Sequence, residues 1–165
     1  KNPKINMEGE LGYLMTDSSQ VYKKKVFIDP ASLTDPKEAA QYVKITGVHR
    51  FAPAVGNMHG IAANRPKLDY KRIKKIRALL PARVAIVLHG GSGNSPIAFK
   101  KAIQAGISNI HISTQLRLAD THALKDAIRQ NPQETTPYKL SEKSLDAVRK
   151  KAEQYIKIFG SVNKV

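Results

Sequence analysis

Four times along this chain an extended apolar run leads into a loop holding glycine or serine and then into a helical pattern. That alternation constrains the fold more than any other feature. Repeated strand–loop–helix units bury their strands in a parallel sheet covered by helices. The first run lies around Lys4–Glu8 and ends Glu8-Gly9-Glu10-Leu11-Gly12. The second, Arg50–Val55, reaches Gly56-Asn57-Met58-His59-Gly60. The third, Val84-Ala85-Ile86-Val87-Leu88, is continuous and β-favouring, as a parallel strand buried on both faces must be. It stops at His89-Gly90-Gly91-Ser92-Gly93, and the fourth run, Ile107–Ile112, passes through Ser113-Thr114.

The helices between these runs carry their own signals. Asp35 suits an N-cap, Pro36 the first helical position, and Glu38 completes a capping box. Ile73, Ile76 and Leu80 share a helical face, and Ser95-Pro96 opens a helix that Gly106 closes. Leu116, Leu118 and Leu124 mark the helix after Ser113-Thr114. A last amphipathic helix is expected after Ser141, with Leu145, Val148, Ala152, Ile156 and Phe159 on its apolar face. Two architectures satisfy such a pattern: a small doubly wound sheet, or half of an eight-fold barrel. Pro53 objects to an uninterrupted second strand, because proline removes a ladder hydrogen bond. A bulge or an early strand end is expected there.

With 165 residues the chain is of single-domain size, and no apolar run approaches the ~18 residues of a membrane span. Cysteine is absent, which excludes disulfides and thiolate metal sites and leaves His, Asp and Glu as ligands. With Lys1-Asn2-Pro3-Lys4 giving no signal-peptide pattern, a cytoplasmic protein is expected. The net charge of +15 points to anionic partners. Residues 1–82 hold 15 basic and 7 acidic groups, and residues 83–165 hold 13 and 6. This even spread, the 6% aromatic content and the lack of a recognition motif argue against a basic nucleic-acid-binding module.

In both architectures ligands gather beyond the C-terminal ends of the strands, where this sequence concentrates its Gly, Ser and His. His59 and His89 each end a strand and each precede a glycine. Two imidazoles so placed can converge on one metal ion, whereas a lone loop histidine is more simply a solvated one. Glu8 and Glu10 point the same way along the first strand. Each is a candidate metal ligand or acid–base group, beside the plainer reading of a solvated strand end. His89-Gly90-Gly91-Ser92-Gly93 is a candidate phosphate cradle of backbone N–H groups and a hydroxyl. Ser113 and Thr114 either donate to the same phosphate or merely cap their helix. His49, His122 and Lys23-Lys24-Lys25 read as surface groups.

Taken in order, Glu8-Gly9-Glu10-Leu11-Gly12, Thr34-Asp35-Pro36-Lys37-Glu38-Ala39, Thr46-Gly47-Val48, Gly56-Asn57-Met58-His59-Gly60, Pro66-Lys67-Leu68-Asp69, Leu88-His89-Gly90-Gly91-Ser92-Gly93 and Phe159-Gly160-Ser161 resemble the class II, zinc-dependent ketose-bisphosphate aldolases along essentially the whole chain. The resemblance implies a TIM (β/α)8 barrel. Residues 1–165 would be its C-terminal half: about four βα units and the C-terminal helices. A complete barrel takes ~250 residues, so a missing N-terminal half is an expected partner, and this chain alone is expected to be inactive.

The implied reaction is reversible, Zn2+-dependent cleavage of a ketose 1,6-bisphosphate to dihydroxyacetone phosphate and glyceraldehyde 3-phosphate. Fructose 1,6-bisphosphate is favoured, with tagatose bisphosphate or another dihydroxyacetone-phosphate aldolase as the alternative. By motif position the resemblance makes His59 and His89 zinc ligands, with Glu10 as a carboxylate for an alternative metal position. Gly60, Gly90 and Ser92 would bind the phosphate, with Ser113 and Thr114 beside them. The sequence also departs from the family. It lacks the adjacent Asp-His pair that supplies a third zinc ligand and a catalytic Asp. After Gly12 the acidic loop is reduced to Asp17, the remaining candidate acid–base group. His111 stands where the family has an Asn that contacts the enediolate. A homo-oligomer, dimer or tetramer, is also expected, with no membrane association.

Overall fold

The structure, a computed structural model, describes residues 5–14 and 20–164. The chain divides into two compact units, residues 1–112 and 113–165. In chain order the first unit contains β1 (Glu8–Leu11), β2 (Val21–Tyr22), a 3-10 turn (Pro30–Ser32), α1 (Pro36–Thr46), β3 (Arg50–Pro53), β4 (Ile61–Ala62), α2 (Tyr70–Leu79), β5 (Ala85–Leu88), α3 (Pro96–Ala105) and β6 (Ile107–Ile110). The second unit contains α4 (Thr114–Gln130) and α5 (Pro137–Phe159).

The main sheet has the order β1-β3-β5-β6, with every pairing parallel. Each new strand joins the same side of its predecessor. A doubly wound sheet reverses at its switch point, so the unreversed order selects the barrel progression. The fold is α/β, and its alternation is that of about four βα units of a (β/α)8 barrel.

Apolar strands make the core of this sheet. Ile86, Val87 and Leu88 are all fully buried, which explains why β5 reads as a continuous apolar run rather than an alternating one. Phe51 from β3 and Ile73 and Ile76 from α2 are also fully buried and form one cluster with Ile86 and Leu88. Burial of one such side chain stabilises the fold by roughly 1.5–3 kcal/mol.

The helix ends follow the sequence signals. Asp35 accepts from the N–H groups of Lys37 at 2.7 Å and Glu38 at 3.1 Å, and Pro36 fills the first turn. Hydrogen bonds from Glu38 and Lys37 hold the Asp35 carboxyl below its usual pKa. Ser95 caps α3 by accepting from Ala98 N–H at 3.2 Å, and Gly106 closes it.

Some boundaries differ from expectation. β1 covers Glu8–Leu11, whereas the sequence reading expects the run around Lys4–Glu8; Lys4 lies outside the described residues. The strand can lie there because Gly9 has no side chain: a Cβ would meet the Tyr42 hydroxyl at 2.5 Å. β3 ends early, at Pro53, and its pairing to β5 stops at Phe51, so no ladder bond falls to the proline nitrogen. The irregularity lies instead at Ile86–Val87, where the Ser108 hydroxyl accepts from Ile86 N–H at 3.2 Å. The short parallel pair β2–β4 has no counterpart in the sequence reading, since two-residue strands carry no periodicity.

Within the second unit, α5 begins at Pro137 rather than after Ser141. Thr136 occupies the N-cap, and proline fits the first turn because its missing N–H has no intrahelical partner there. Ser141 instead donates its hydroxyl to the carbonyl of Pro137 at 2.9 Å, one turn back. The buried positions of α5 are Ser144 and Tyr155, not Leu145 and Ile156, which are exposed. Ser144 donates to Asp120 and Tyr155 to Gln115, so side-chain hydrogen bonds to α4 orient the helix pair.

Candidate metal centre

Because side chains two apart on a strand share a face, Glu8 and Glu10 reach the same imidazole. The Glu10 Oε2 lies 2.7 Å from His89 Nδ1, and the Glu8 Oε1 lies 2.7 Å from His89 Nε2. His89 follows the last residue of β5, and its ring is held between carboxylates from β1 that the sheet order carries to the same rim.

A second imidazole comes from the end of β6. His111 is fixed at both backbone groups: its N–H donates to the Leu88 carbonyl at 3.0 Å, and its carbonyl accepts from Gly91 N–H at 3.0 Å. The approach requires Gly91, since a Cβ there would lie 2.8 Å from the His111 carbonyl oxygen. The His111 ring stacks on His89 with centroids 4.8 Å apart, and its Nε2 lies 3.9 Å from the second oxygen of Glu8. Partial burial pushes the His111 pKa down. Glu8 opposes that shift, while His89 and Arg50 add to it. His59 contributes a third ring, tilted by 56° with its centroid 6.2 Å from that of His89.

Glu8, His89 and His111 each offer a ligand atom within 4.8 Å of the others. Nitrogen and oxygen donors, with one imidazole held toward its neutral form, suit zinc. The donor types fit the ion that the resemblance implies, but of its expected ligands His59, His89 and Glu10 this group includes only His89.

Beside this centre, Gly60, Gly90 and Ser92 line one pocket together with Arg65, Gly93 and Asn94. Gly60 and Gly90 adopt φ +77° and +60°, the left-handed region that glycine enters without strain. A Cβ on Gly60 would lie 2.5 Å from the Gln20 carbonyl oxygen. Asn64 closes the far wall by pairing with Val26: its Oδ1 accepts from Val26 N–H and its Nδ2 donates to Val26 C=O, both at 2.7 Å.

Asn57 joins the two loops, and its role was not singled out from sequence. It is buried, accepts from Val55 N–H at 2.8 Å and donates to the His89 carbonyl at 3.0 Å. Its position two residues before His59 was the available signal. Asn57→Ala leaves the buried Val55 N–H without its acceptor, which costs about 1–3 kcal/mol. Urea unfolding of the variant is expected to show that loss as a lower midpoint with an unchanged slope.

Of the remaining candidates, Asp17 lies outside the described residues. Ser113 and Thr114 belong to the second unit, where Ser113 is the N-cap of α4 and Thr114 its buried first residue. The Ser113 hydroxyl makes no cap hydrogen bond among the described residues. His49 accepts from Met7 N–H at 3.1 Å, away from the histidine cluster. No helix among the described residues is long and apolar enough to cross a membrane.

A family model for class-II fructose-bisphosphate aldolase matches residues 1–164. Among solved structures, the YdjI aldolase from Escherichia coli K12 is 32% identical with a TM-score of 0.69, the match covering 97% of this chain and 50% of that one. A protein from Coccidioides immitis is 25% identical with a TM-score of 0.74, covering 97% and 54%. The fructose-bisphosphate aldolase of Campylobacter jejuni, at 18% identity, shares the fold with a TM-score of 0.64, covering 78% and 45%. The chain thus spans about half the length of the solved structures it matches.

Proposed function

The chain belongs to the class-II fructose-bisphosphate aldolase family, and from that membership we propose that it supplies metal- and phosphate-binding residues to an aldol lyase. The reaction is reversible cleavage of a ketose 1,6-bisphosphate to dihydroxyacetone phosphate and glyceraldehyde 3-phosphate, with fructose 1,6-bisphosphate as the favoured substrate. One observation supports this above the others. The loop after β5 offers the His89 imidazole to carboxylates on one side and a positive-φ glycine turn to a pocket on the other. A ligand with a metal-binding oxygen at one end and a phosphate close by fits that arrangement.

His59, His89 and Glu10 would hold zinc. When bound, the ion supplies a Lewis acid for the ketone oxygen. Gly60 and Gly90 would hold the phosphate through backbone N–H groups, with the Ser92 hydroxyl beside them. Ser113 and Thr114 would add two further hydroxyls from the start of α4. Asp17 would carry a proton for the aldehyde half, and His111 would donate a hydrogen bond to the oxygen on which negative charge develops.

These 165 residues contain no adjacent Asp-His pair, so turnover would need residues from beyond them. A homo-oligomer that brings barrel segments together, or a complex with the remaining units of the barrel, would meet that need. The net charge of +15 suits a substrate and products that are all anionic. A cytoplasmic location fits a phosphorylated substrate.

Aldol cleavage by the protein as isolated from its source, with and without a chelator, tests this reading. Cleavage of fructose 1,6-bisphosphate that disappears with chelator and returns with zinc is the expected result. Bound zinc with no cleavage of fructose 1,6-bisphosphate moves the assignment to tagatose bisphosphate or another dihydroxyacetone-phosphate adduct. His111 favours keeping that second reading, because it puts an imidazole where the resemblance leads one to expect an amide.

A further inference from the structure

We propose that His111 and Glu8 form, with the shared His89, a second cation position that does not need His59, for a divalent transition metal such as zinc. The inference deepens the metal-dependent reading above and rests on it for the identity of the ion.

Three observations carry it. His111 is not a mobile surface side chain at its root, because hydrogen bonds to Leu88 and from Gly91 fix its backbone at both groups. The Glu8 carboxylate already bridges the two imidazoles: one oxygen meets His89 Nε2 at 2.7 Å and the other faces His111 Nε2 at 3.9 Å. Glu10 meanwhile occupies the opposite nitrogen of His89, Nδ1, at 2.7 Å. A carboxylate on one ring nitrogen orients the other for a metal and raises its basicity. The nitrogen so oriented is Nε2, which faces Glu8. With all three ligand atoms within 4.8 Å, small side-chain rotations suffice to close them on one ion.

The position is tested by titrating the intact protein with Co2+ alone, which reports its ligand field by visible absorption, and then displacing it with Zn2+. His59→Asn provides the background, since it removes the other set. Thermal melts in metal-free buffer establish that each variant keeps its fold. In the His59→Asn protein, one Co2+ per chain is expected to bind and to leave when Zn2+ is added. Adding His111→Asn or Glu8→Gln to that background is expected to weaken Co2+ binding by at least about tenfold and to change the band.

Two results overturn the inference. One is unchanged affinity and spectrum when His111→Asn is added. The other is a His59→Asn protein that binds no Co2+ at all, which makes His59 indispensable and collapses the two positions into one. Neither touches the lyase reading, which stands or falls on chelator-sensitive cleavage.

Discussion

Gly90→Ala is expected to destabilise the protein by roughly 2–4 kcal/mol and to remove, in the same step, the zinc and phosphate binding proposed above. Two separate effects produce that loss. Position 90 sits at φ +60°, where an L side chain is strained. The added Cβ would also lie 2.0 Å from the Met58 carbonyl oxygen and 2.6 Å from its carbon. Neither neighbour is the far end of a flexible side chain; both are backbone of the loop that carries His59. Relief therefore requires the two loops to part, which breaks the Asn57 bridge to the His89 carbonyl as well. Circular dichroism melts read the stability, and equilibrium dialysis against zinc reads the site. Gly93→Ala is the control. It shares a positive φ of +87°, but its Cβ would stay 3.5 Å or more from the nearest atoms. A Gly90→Ala protein no less stable than Gly93→Ala would overturn the close-approach argument and leave only backbone strain.

His89→Ala is expected to lower zinc affinity by more than about a hundredfold, above the range for losing a supporting group alone. It should abolish any cleavage that depends on the metal. His89 is the residue on which the cluster converges: both of its ring nitrogens are engaged, and rings from His59 and His111 lie against it. Removing it separates the carboxylates of β1 from the other imidazoles at a stroke. Stability should change far less than in Gly90→Ala, since the pairs are partly solvated and exposed ion pairs are worth about 0–1 kcal/mol. Metal analysis of the purified variant, set against its melting curve, separates the two effects. Retention of zinc at wild-type affinity would refute the central role of His89.

Much of this was legible because the signals were local. A capping aspartate, a proline at a first turn and a run of five apolar residues each act within a few positions, and α1, α3 and β5 followed from them. The shared direction of Glu8 and Glu10 was equally local, and both carboxylates meet one imidazole. What escaped depended on distance. His111 drew attention only as a departure from a resemblance, because its stacking on His89 follows from a β5–β6 register that no sequence window contains. Asn57 acts on the carbonyl of His89, 32 residues away, a partner that only the fold brings beside it. The α5 face differs from expectation for another reason: hydrophobic periodicity cannot reveal a helix pair oriented by Ser144 and Tyr155 hydrogen bonds.

The unreversed strand order has a consequence for how such a site can change. In β1-β3-β5-β6 every strand runs the same way, so each successive loop opens on one common rim. A strand docked at either free edge in the same direction delivers its loop to that rim with no rearrangement of the rest. New side chains thus enter the site by lateral accretion, while the existing ones keep their places. His111, carried just beyond the last strand of the sheet, illustrates the rule: a side chain set at the margin reaches the imidazole at the centre.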